Sequence, residues 1–256
     1  MKKALLSMVM AIVLAGAMAG CAQAPDGGAS AGDDAGTADQ VVEAAGQGEG
    51  ANAEAAVKSY VVSRVDGEPD WESIPQLEID NQQWLEPVDI AAHAQLCYSD
   101  EAFYVRMWAE EANVRAEYPE SDLLAKTYED SCLEFFISPV PGDSRYLNFE
   151  FNPNCAVGAE IGATKAGRTR LVRSDDPYNA AATRTENGWE ITYQVPFDLI
   201  RQLYPDFSAE SGTTLRGNFY KCGNLTVQKH YLSWNPIKSD TPNFHLPEYF
   251  GELVLE

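Results

Sequence analysis

Residues 128–152 impose the strongest constraint in the chain: two stretches of strict apolar alternation with turn-forming residues between them. Leu133, Phe135 and Ile137 fall on one side of the first stretch, and Leu147, Phe149 and Phe151 on one side of the second, because successive side chains of a strand point to opposite faces. Pro139, Pro141, Gly142 and Asp143 lie between them and favour a turn. The segment is therefore expected to form two strands, each with one face for a core. The opposite faces carry Cys132, Glu134 and Phe136, then Tyr146, Asn148, Glu150 and Asn152. Aromatic, amide and carboxylate groups together suit a polar recognition groove; a solvated face of an antiparallel sheet is the alternative.

The same logic predicts further strands at 59–65, 92–98, 103–109, 155–161, 169–173, 189–195, 215–220, 231–234 and 252–255. In Trp189-Glu-Ile-Thr-Tyr-Gln-Val195 every odd position is apolar or aromatic, as a strand with one buried face requires. One short helix is expected, opened by Pro196, given an apolar side by Leu199, Ile200 and Leu203, and stopped by Pro205. Many short strands with a single helix predict an all-β fold, an antiparallel β-sandwich forming one domain over residues 58–256. Asp66-Gly-Glu-Pro-Asp70 is a turn, and Trp71 after it serves either as a core plug or as a ligand platform. The polar segment 110–126 is expected to cross one end of the sandwich, where binding loops gather.

The N-terminal region sets the compartment. Lys2 and Lys3 precede an apolar run at 4–13 that is too short to span a bilayer, and the small residues of Ala15-Gly-Ala-Met-Ala-Gly-Cys21 follow. Residues 1–20 are read as a signal peptide of the bacterial lipoprotein type, with Cys21 left at the new N-terminus to carry lipid; an ordinary secretory peptide is the alternative. Residues 21–57 hold Ala, Gly, Asp and Glu with no aromatic residue, a composition that cannot offset the entropy of ordering and is expected to act as a disordered tether. The protein is thus expected outside the cytoplasm, anchored to a membrane at the cell surface. A formal charge of -21 argues against nucleic-acid partners, whose phosphates would be repelled.

Besides Cys21, Cys97, Cys132, Cys155 and Cys222 are available for one or two disulfides or remain as buried thiols, and none of their spacings is a metal knuckle. No two of the three histidines have metal-ligand spacing either. No Gly-x-Ser-x-Gly elbow, phosphate loop or His-Glu-x-x-His motif is present, so no catalytic residue is assigned. Glu134 with Glu150 is the one carboxylate pair that suggests a glycosidase. By alternation Arg216, Asn218 and Tyr220 share a strand face, and Arg216 is expected to compensate Glu134 or Glu150, either within a site or as a structural ion pair. His230, His245, Trp234 and Tyr249 are expected to pack in or near the same cleft.

Several segments resemble the family 9 carbohydrate-binding modules, the CBM9-like β-sandwiches. They are Asp66-Gly-Glu-Pro-Asp-Trp71, Tyr128-Glu-Asp-Ser-Cys-Leu-Glu-Phe-Phe-Ile137, Tyr146-Leu-Asn-Phe-Glu-Phe-Asn152, Arg216-Gly-Asn-Phe-Tyr220, Ser233-Trp234 and Phe244-His-Leu-Pro-Glu-Tyr-Phe-Gly251. The resemblance implies a sugar held against one sheet face between two aromatics, at the positions of Tyr128 and Phe244, with Glu134 as the strand glutamate. Well-characterised members hold Trp at both aromatic positions, and an Arg where this chain has Glu150. Related sandwiches bind structural calcium, for which Asp66, Asp70, Asp100 and Asp130 are the loop carboxylates available.

The expected function is non-catalytic carbohydrate binding. Tyr128 and Phe244 would stack on the sugar ring, and Glu134, Tyr146, Asn148, Glu150, Arg216, Asn218, Trp234 and His245 would complete the site. Two alternatives stay open. One is a haem-binding DOMON-type sandwich, with Met107, His230 or His245 as axial ligands. The other is a sandwich that has lost its sugar and serves as a scaffold or interaction module.

Overall fold

The computed structural model describes residues 56–173 and 175–256; residues 1–20, expected to be a signal peptide, Cys21 and nearly all of the expected tether lie outside the described residues. The chain opens with β1 (Ser59–Arg64), β2 (Leu77–Glu78), β3 (Asn81–Gln82), β4 (Ala91–Tyr98) and β5 (Ala102–Glu110). A 3-10 turn at Thr127–Glu129 leads into β6 (Cys132–Ser138), β7 (Tyr146–Phe151), β8 (Val157–Gly162) and β9 (Thr169–Arg170). There follow β10 (Ala181–Arg184), β11 (Gly188–Pro196), the helix α1 (Phe197–Leu203), β12 (Thr214–Gly223), β13 (His230–Ser233) and β14 (Gly251–Leu255).

These strands make two sheets that share β1. Residues 59–62 of β1 run parallel to β14, whereas Ser63 and Arg64 pair in parallel with Cys97 and Tyr98 of β4. The first sheet has the order β1-β14-β12-β6-β7-β8-β9, and the second β1-β4-β5-β11-β10; apart from the two β1 pairings, every ladder is antiparallel. By passing from one sheet to the other, β1 closes one side of an antiparallel β-sandwich. The core lies between the sheets, where the alternation places it. Leu133, Phe135, Leu147, Phe149 and Phe219 meet Leu96, Val105, Met107, Trp189 and Ile191, all buried. Phe135 stacks on Phe219 at 4.7 Å within the first sheet, and Phe151 reaches Tyr193 of the second at 4.4 Å.

The helix forms where expected. Pro196 is its N-cap, Phe197, Leu199 and Ile200 are buried, and the Phe197 ring meets Phe103 edge-on at 4.9 Å. Two expected strands are cut short or shifted. Cys155 adopts φ 61° in the turn after β7, so the next strand starts at Val157, and the strand at 169 ends after two residues. The strands β2, β3 and β10 have two to four residues and no apolar alternation, so only their partners define them. Trp71 is half-buried, a partial version of the core plug. The polar segment after β5 does lie at one end of the sandwich. It is laced to the start of β6 by Arg115 N–H donating to Ser131 Oγ (2.9 Å) and to the end of β7 by Asn152 donating to Tyr118 O (2.8 Å).

Phe151 bridges the two sheets at 1% exposure, so Phe151→Ala should cost about 3–5 kcal/mol through lost burial and the cavity left behind. Urea unfolding at unchanged m-value measures it, and a loss below about 1 kcal/mol would contradict the packing described.

Candidate functional site

The strand registers arrange the polar face of the first sheet in rows. Cys222 lies opposite Cys132. In the next row Tyr220, Glu134, Glu150 and Gly158 stand side by side across β12, β6, β7 and β8. The row after that holds Asn218, Phe136, Asn148, Glu160 and Arg170. This face is not solvated: Cys132, Phe136, Tyr146, Asn148, Asn152, Asn218 and Tyr220 are all fully buried. The segment between β13 and β14 folds over part of it. Phe244 stacks on Tyr220 at 4.2 Å and 11°, while His245 lies 5.0 Å from the Phe136 ring and shares a 2.9 Å hydrogen bond between Nδ1 and the Tyr146 hydroxyl. Burial among these rings and the positive charge of Arg168 hold the His245 imidazole down at about 3, so it is neutral in the folded protein.

At the centre are two carboxyl groups directly across from one another. Glu134 Oε1 accepts from the Cys222 thiol at 2.9 Å. Glu150 accepts from the Asn148 amide at 2.9 Å and from Thr127 Oγ1 at 3.3 Å, and the Asn148 Oδ1 atom is buried without a partner. Burial pushes the Glu134 carboxyl well above the usual carboxylate range, helped by the neighbouring Cys222 and Glu150. Burial, followed by the charge of Glu160, lifts Glu150 to about 7. Near neutral pH the Glu150 carboxyl is therefore about half protonated, and a protonated carboxyl can donate as well as accept hydrogen bonds.

The compensating cation is not the one expected. Arg216 bends away at the far end of β12 and donates to the Phe250 carbonyl, lining a shallow cleft of about 360 Å³ with Ser138, Asp143 and Pro247. It cannot face Glu134, because β6 pairs it with Ser138, two rows away. The guanidinium groups near the carboxyls come instead from the β8–β9 hairpin. Arg168 donates to Glu160 at 2.6 Å, and Arg170 lies 3.7 Å from Glu160 and donates to the Ala125 and Val157 carbonyls. Both arginines cross glycines. A Cβ at Gly158 would meet Thr127 Oγ1 at 2.9 Å and both Arg170 Nη1 and Glu150 Oε2 at 3.3 Å, and one at Gly162 would meet Arg168 Cγ at 2.6 Å. Thr127, Glu160, Arg168 and Arg170 were not among the sequence candidates. The available signal was Gly158 and Gly162 on one strand face, followed by arginines at alternate positions.

Other candidates divide. Tyr128 stands half-exposed on the 3-10 turn, its carbonyl accepting from Asn224 N–H at 3.0 Å. Phe244 is buried, its ring already used on Tyr220 and flanked by Trp84 at 5.8 Å and Tyr231 at 6.0 Å. Asn218 also has its amide engaged: Nδ2 donates to Asn235 O and Oδ1 accepts from Asn235 N–H, which fixes the covering segment. Trp234 is removed from the site altogether. It packs into the core between the sheets, edge-on to Phe219 at 6.0 Å, sharing the parity of its neighbour Leu232.

The carboxylates considered for calcium have separate tasks. Asp66 and Asp100 pair with Arg64, and Asp70 caps its own turn. The buried Asp130 accepts from Glu117 N–H, Tyr118 N–H and Asn152, with Arg115 at 3.2 Å. The residues considered for haem are likewise engaged elsewhere. Met107 is in the sandwich core, His230 bonds Lys221 Nζ at 2.7 Å, and His245 holds Tyr146. All four cysteines of the domain are free thiols.

The sequence from residue 65 to 255 matches the pattern of carbohydrate-binding family 9. The chain belongs to that family. A candidate carbohydrate-binding protein from Bacteroides uniformis is similar over 78% of this chain and all of its own length, at 28% identity and a TM-score of 0.67. Two structures of a family 9 module from Caldicellulosiruptor kristjanssonii are also similar. The complex with cellotriose gives 15% identity, 78% and 94% coverage of this chain and of the module, and a TM-score of 0.55. The glucose complex gives 15% identity, 78% and 96% coverage, and a TM-score of 0.53. At that identity they speak for the sandwich fold alone. No curated protein matches the chain.

The raised carboxyls give this family 9 domain a distinct pH response. With the Glu150 carboxyl near 7 when folded and near 4.3 when unfolded, the native state binds the extra proton, so its contribution to stability is full below about pH 4 and is lost as pH rises through 7. His245, held neutral, acts in the opposite sense below about pH 6.5, so a difference experiment is needed. Glu150→Gln should gain stability relative to the parent by up to about 1.4 kcal/mol per pH unit between pH 5 and 7. Denaturant unfolding of both proteins across that range measures the difference, and parallel curves would refute the assignment.

Proposed function

We propose that this family 9 protein is a non-catalytic carbohydrate binder, held at the outer face of a bacterial membrane through lipid on Cys21. The observation that carries the binding reading is the Glu134–Glu150 row. Two carboxyls with raised proton affinity and a buried Asn148 oxygen without a partner lie on one sheet face, and the turn that carries the half-exposed Tyr128 adjoins it through the Thr127 contact to Glu150. Sugar hydroxyls donate and accept, while the faces of a pyranose are apolar, so this combination of groups is what such a ligand needs. The neighbouring family 9 structures with glucose and cellotriose support the same class of ligand.

In this reading Tyr128 stacks on the ring. The adjoining Thr127 contact to Glu150, at 3.3 Å, gives way so that ligand hydroxyls reach Glu150, Glu134 and Asn148. Phe244 acts indirectly, stacking on Tyr220 at the end of the row. The net charge of -21 favours neutral sugars over uronates or sulfated glycans. The placement supports binding over hydrolysis, because the carboxyls stand side by side on neighbouring strands rather than flanking a space where a glycosidic bond could lie.

Calorimetry against neutral plant, host and bacterial glycans tests this. A ligand found there should lose about tenfold or more in affinity with Tyr128→Ala and with Glu134→Gln, each about 1.4 kcal/mol, in proteins that retain the parent's unfolding transition. Absence of binding across the panel, or unchanged affinity in both variants, would overturn the assignment.

The anchoring part of the proposal rests on the lysines, short apolar run and small residues that end at Cys21. Expressed in a lipoprotein-processing bacterium, the parent should incorporate labelled fatty acid and sediment with membranes. Cys21→Ser should lose the label and leave the membrane fraction, and a label that persists would exclude lipidation at that residue.

A further inference from the structure

Cys132 and Cys222 face each other at the end of the polar rows, on β6 and β12, in direct register. Directly opposed residues of an antiparallel pair have Cα atoms about 4.5–5.5 Å apart, inside the range that a disulfide bridges without moving the backbone. The side chains are also turned toward one another: both sulfurs and a Glu134 carboxyl oxygen lie within 4.8 Å of each other. Among the described residues the other two cysteines have no such neighbour. Cys97 is on β4 in the other sheet, and Cys155 sits in the turn after β7 with its thiol directed to Ala180 O at 3.6 Å. We infer that Cys132 and Cys222 are a paired oxidation site, joined as a cross-strand disulfide when the protein folds in the presence of a disulfide oxidant.

The reaction is thiol–disulfide exchange. One thiol loses its proton and attacks the oxidant, giving a mixed disulfide and one released thiol. The second cysteine then displaces the other half of the oxidant, so that two protein S–H bonds become one S–S bond and the oxidant leaves as two thiols. Timing follows from burial. Both cysteines are buried, and burial pushes the Cys132 thiol up to about 12, which leaves almost no thiolate in the finished fold. The bond therefore forms before β6 and β12 are sealed under the covering segment, and once formed it is shielded from reductants. Oxidation also removes the Cys222 S–H that Glu134 accepts, leaving that carboxyl free for another donor. The inference stands whether or not a sugar binds.

The full chain, secreted into an oxidising periplasm and alkylated in denaturant, provides the test. The expected product carries alkyl groups on Cys97 and Cys155, has two hydrogens fewer than the same doubly alkylated domain with Cys132 and Cys222 as thiols, and yields a peptide linking 132 to 222. Reductant in denaturant followed by refolding should lower its Tm by several degrees, and the Cys132→Ser, Cys222→Ser double variant should show no Tm response to reductant. Four alkylated cysteines in the domain, or a different pairing, would overturn the inference. So would two thiols protected without loss of hydrogen and released by a chelator, which would indicate a metal ion on Cys132, Glu134 and Cys222. If the serine variants fail to fold, the peptide map of the parent still decides.

Discussion

The central strands of the first sheet, β12, β6 and β7, are buried on both faces over most of their length, and the rest of the structure follows from having to make that tolerable. Every residue of β7 is buried, although alternate positions are Tyr146, Asn148 and Glu150 rather than apolar residues. An ionised carboxylate in such surroundings without a partner is strongly disfavoured. The protein meets the problem in three ways. Glu134 and Glu150 hold their protons to higher pH than an ordinary carboxyl, Cys222 and Thr127 supply weak donors, and the two arginines of the β8–β9 hairpin bring positive charge to Glu160 beside them. The glycines of β8 are part of the solution, since side chains at 158 or 162 would occupy the space the arginines cross.

Alternation made much of this legible and then failed at a definite point. It states which residues share a face, and it placed Leu133, Phe135, Leu147 and Phe149 in the core without ambiguity. It also contained the position of Trp234, which has the parity of Leu232 and follows it inward. Alternation does not state which strands are neighbours. Arg216 shares a face with Asn218 and Tyr220, as expected, yet its row is two removed from Glu134, so its charge is spent on the Phe250 carbonyl. The sheet order β12-β6-β7-β8-β9 brings Arg170 into the row of Asn148, a relation that depends on long-range pairing and has no local sequence signal. Nor does alternation state what lies above a face. Part of the face expected as a groove, over Tyr220, Phe136 and Tyr146, is covered by a segment whose anchoring bonds include those between Asn218 and Asn235.

The positions at which this chain departs from the well-characterised modules take on physical meaning in that setting. A cation is expected by resemblance at the position of Glu150, and the structure supplies one from two strands away, where Arg170 passes over Gly158 toward the Glu150 carboxyl. Charge has been relocated rather than deleted. Phe244 departs differently. Its ring lies flat on Tyr220 within a cluster that includes Phe136, Tyr146 and Phe250, so the smaller side chain has become part of a second apolar layer outside the sheet. Tyr128, by contrast, retains an exposed face at the rim.

A closed polar layer is compatible with recognition of an uncharged, hydroxyl-rich ligand. The main obstacle to binding sugars from water is that each hydroxyl and each protein group must give up good hydrogen bonds before making new ones. Here the protein side of that exchange has been met during folding: Glu134, Glu150 and Asn148 are already desolvated, and Asn148 Oδ1 has no partner to lose. A ligand that displaces the long Thr127 contact gives up little on the protein side and finds carboxyls able to play either hydrogen-bonding role. The same burial that makes the carboxyls awkward for the fold is what would make them effective toward a sugar edge, and Thr127, on the turn that carries Tyr128, is where the two demands meet.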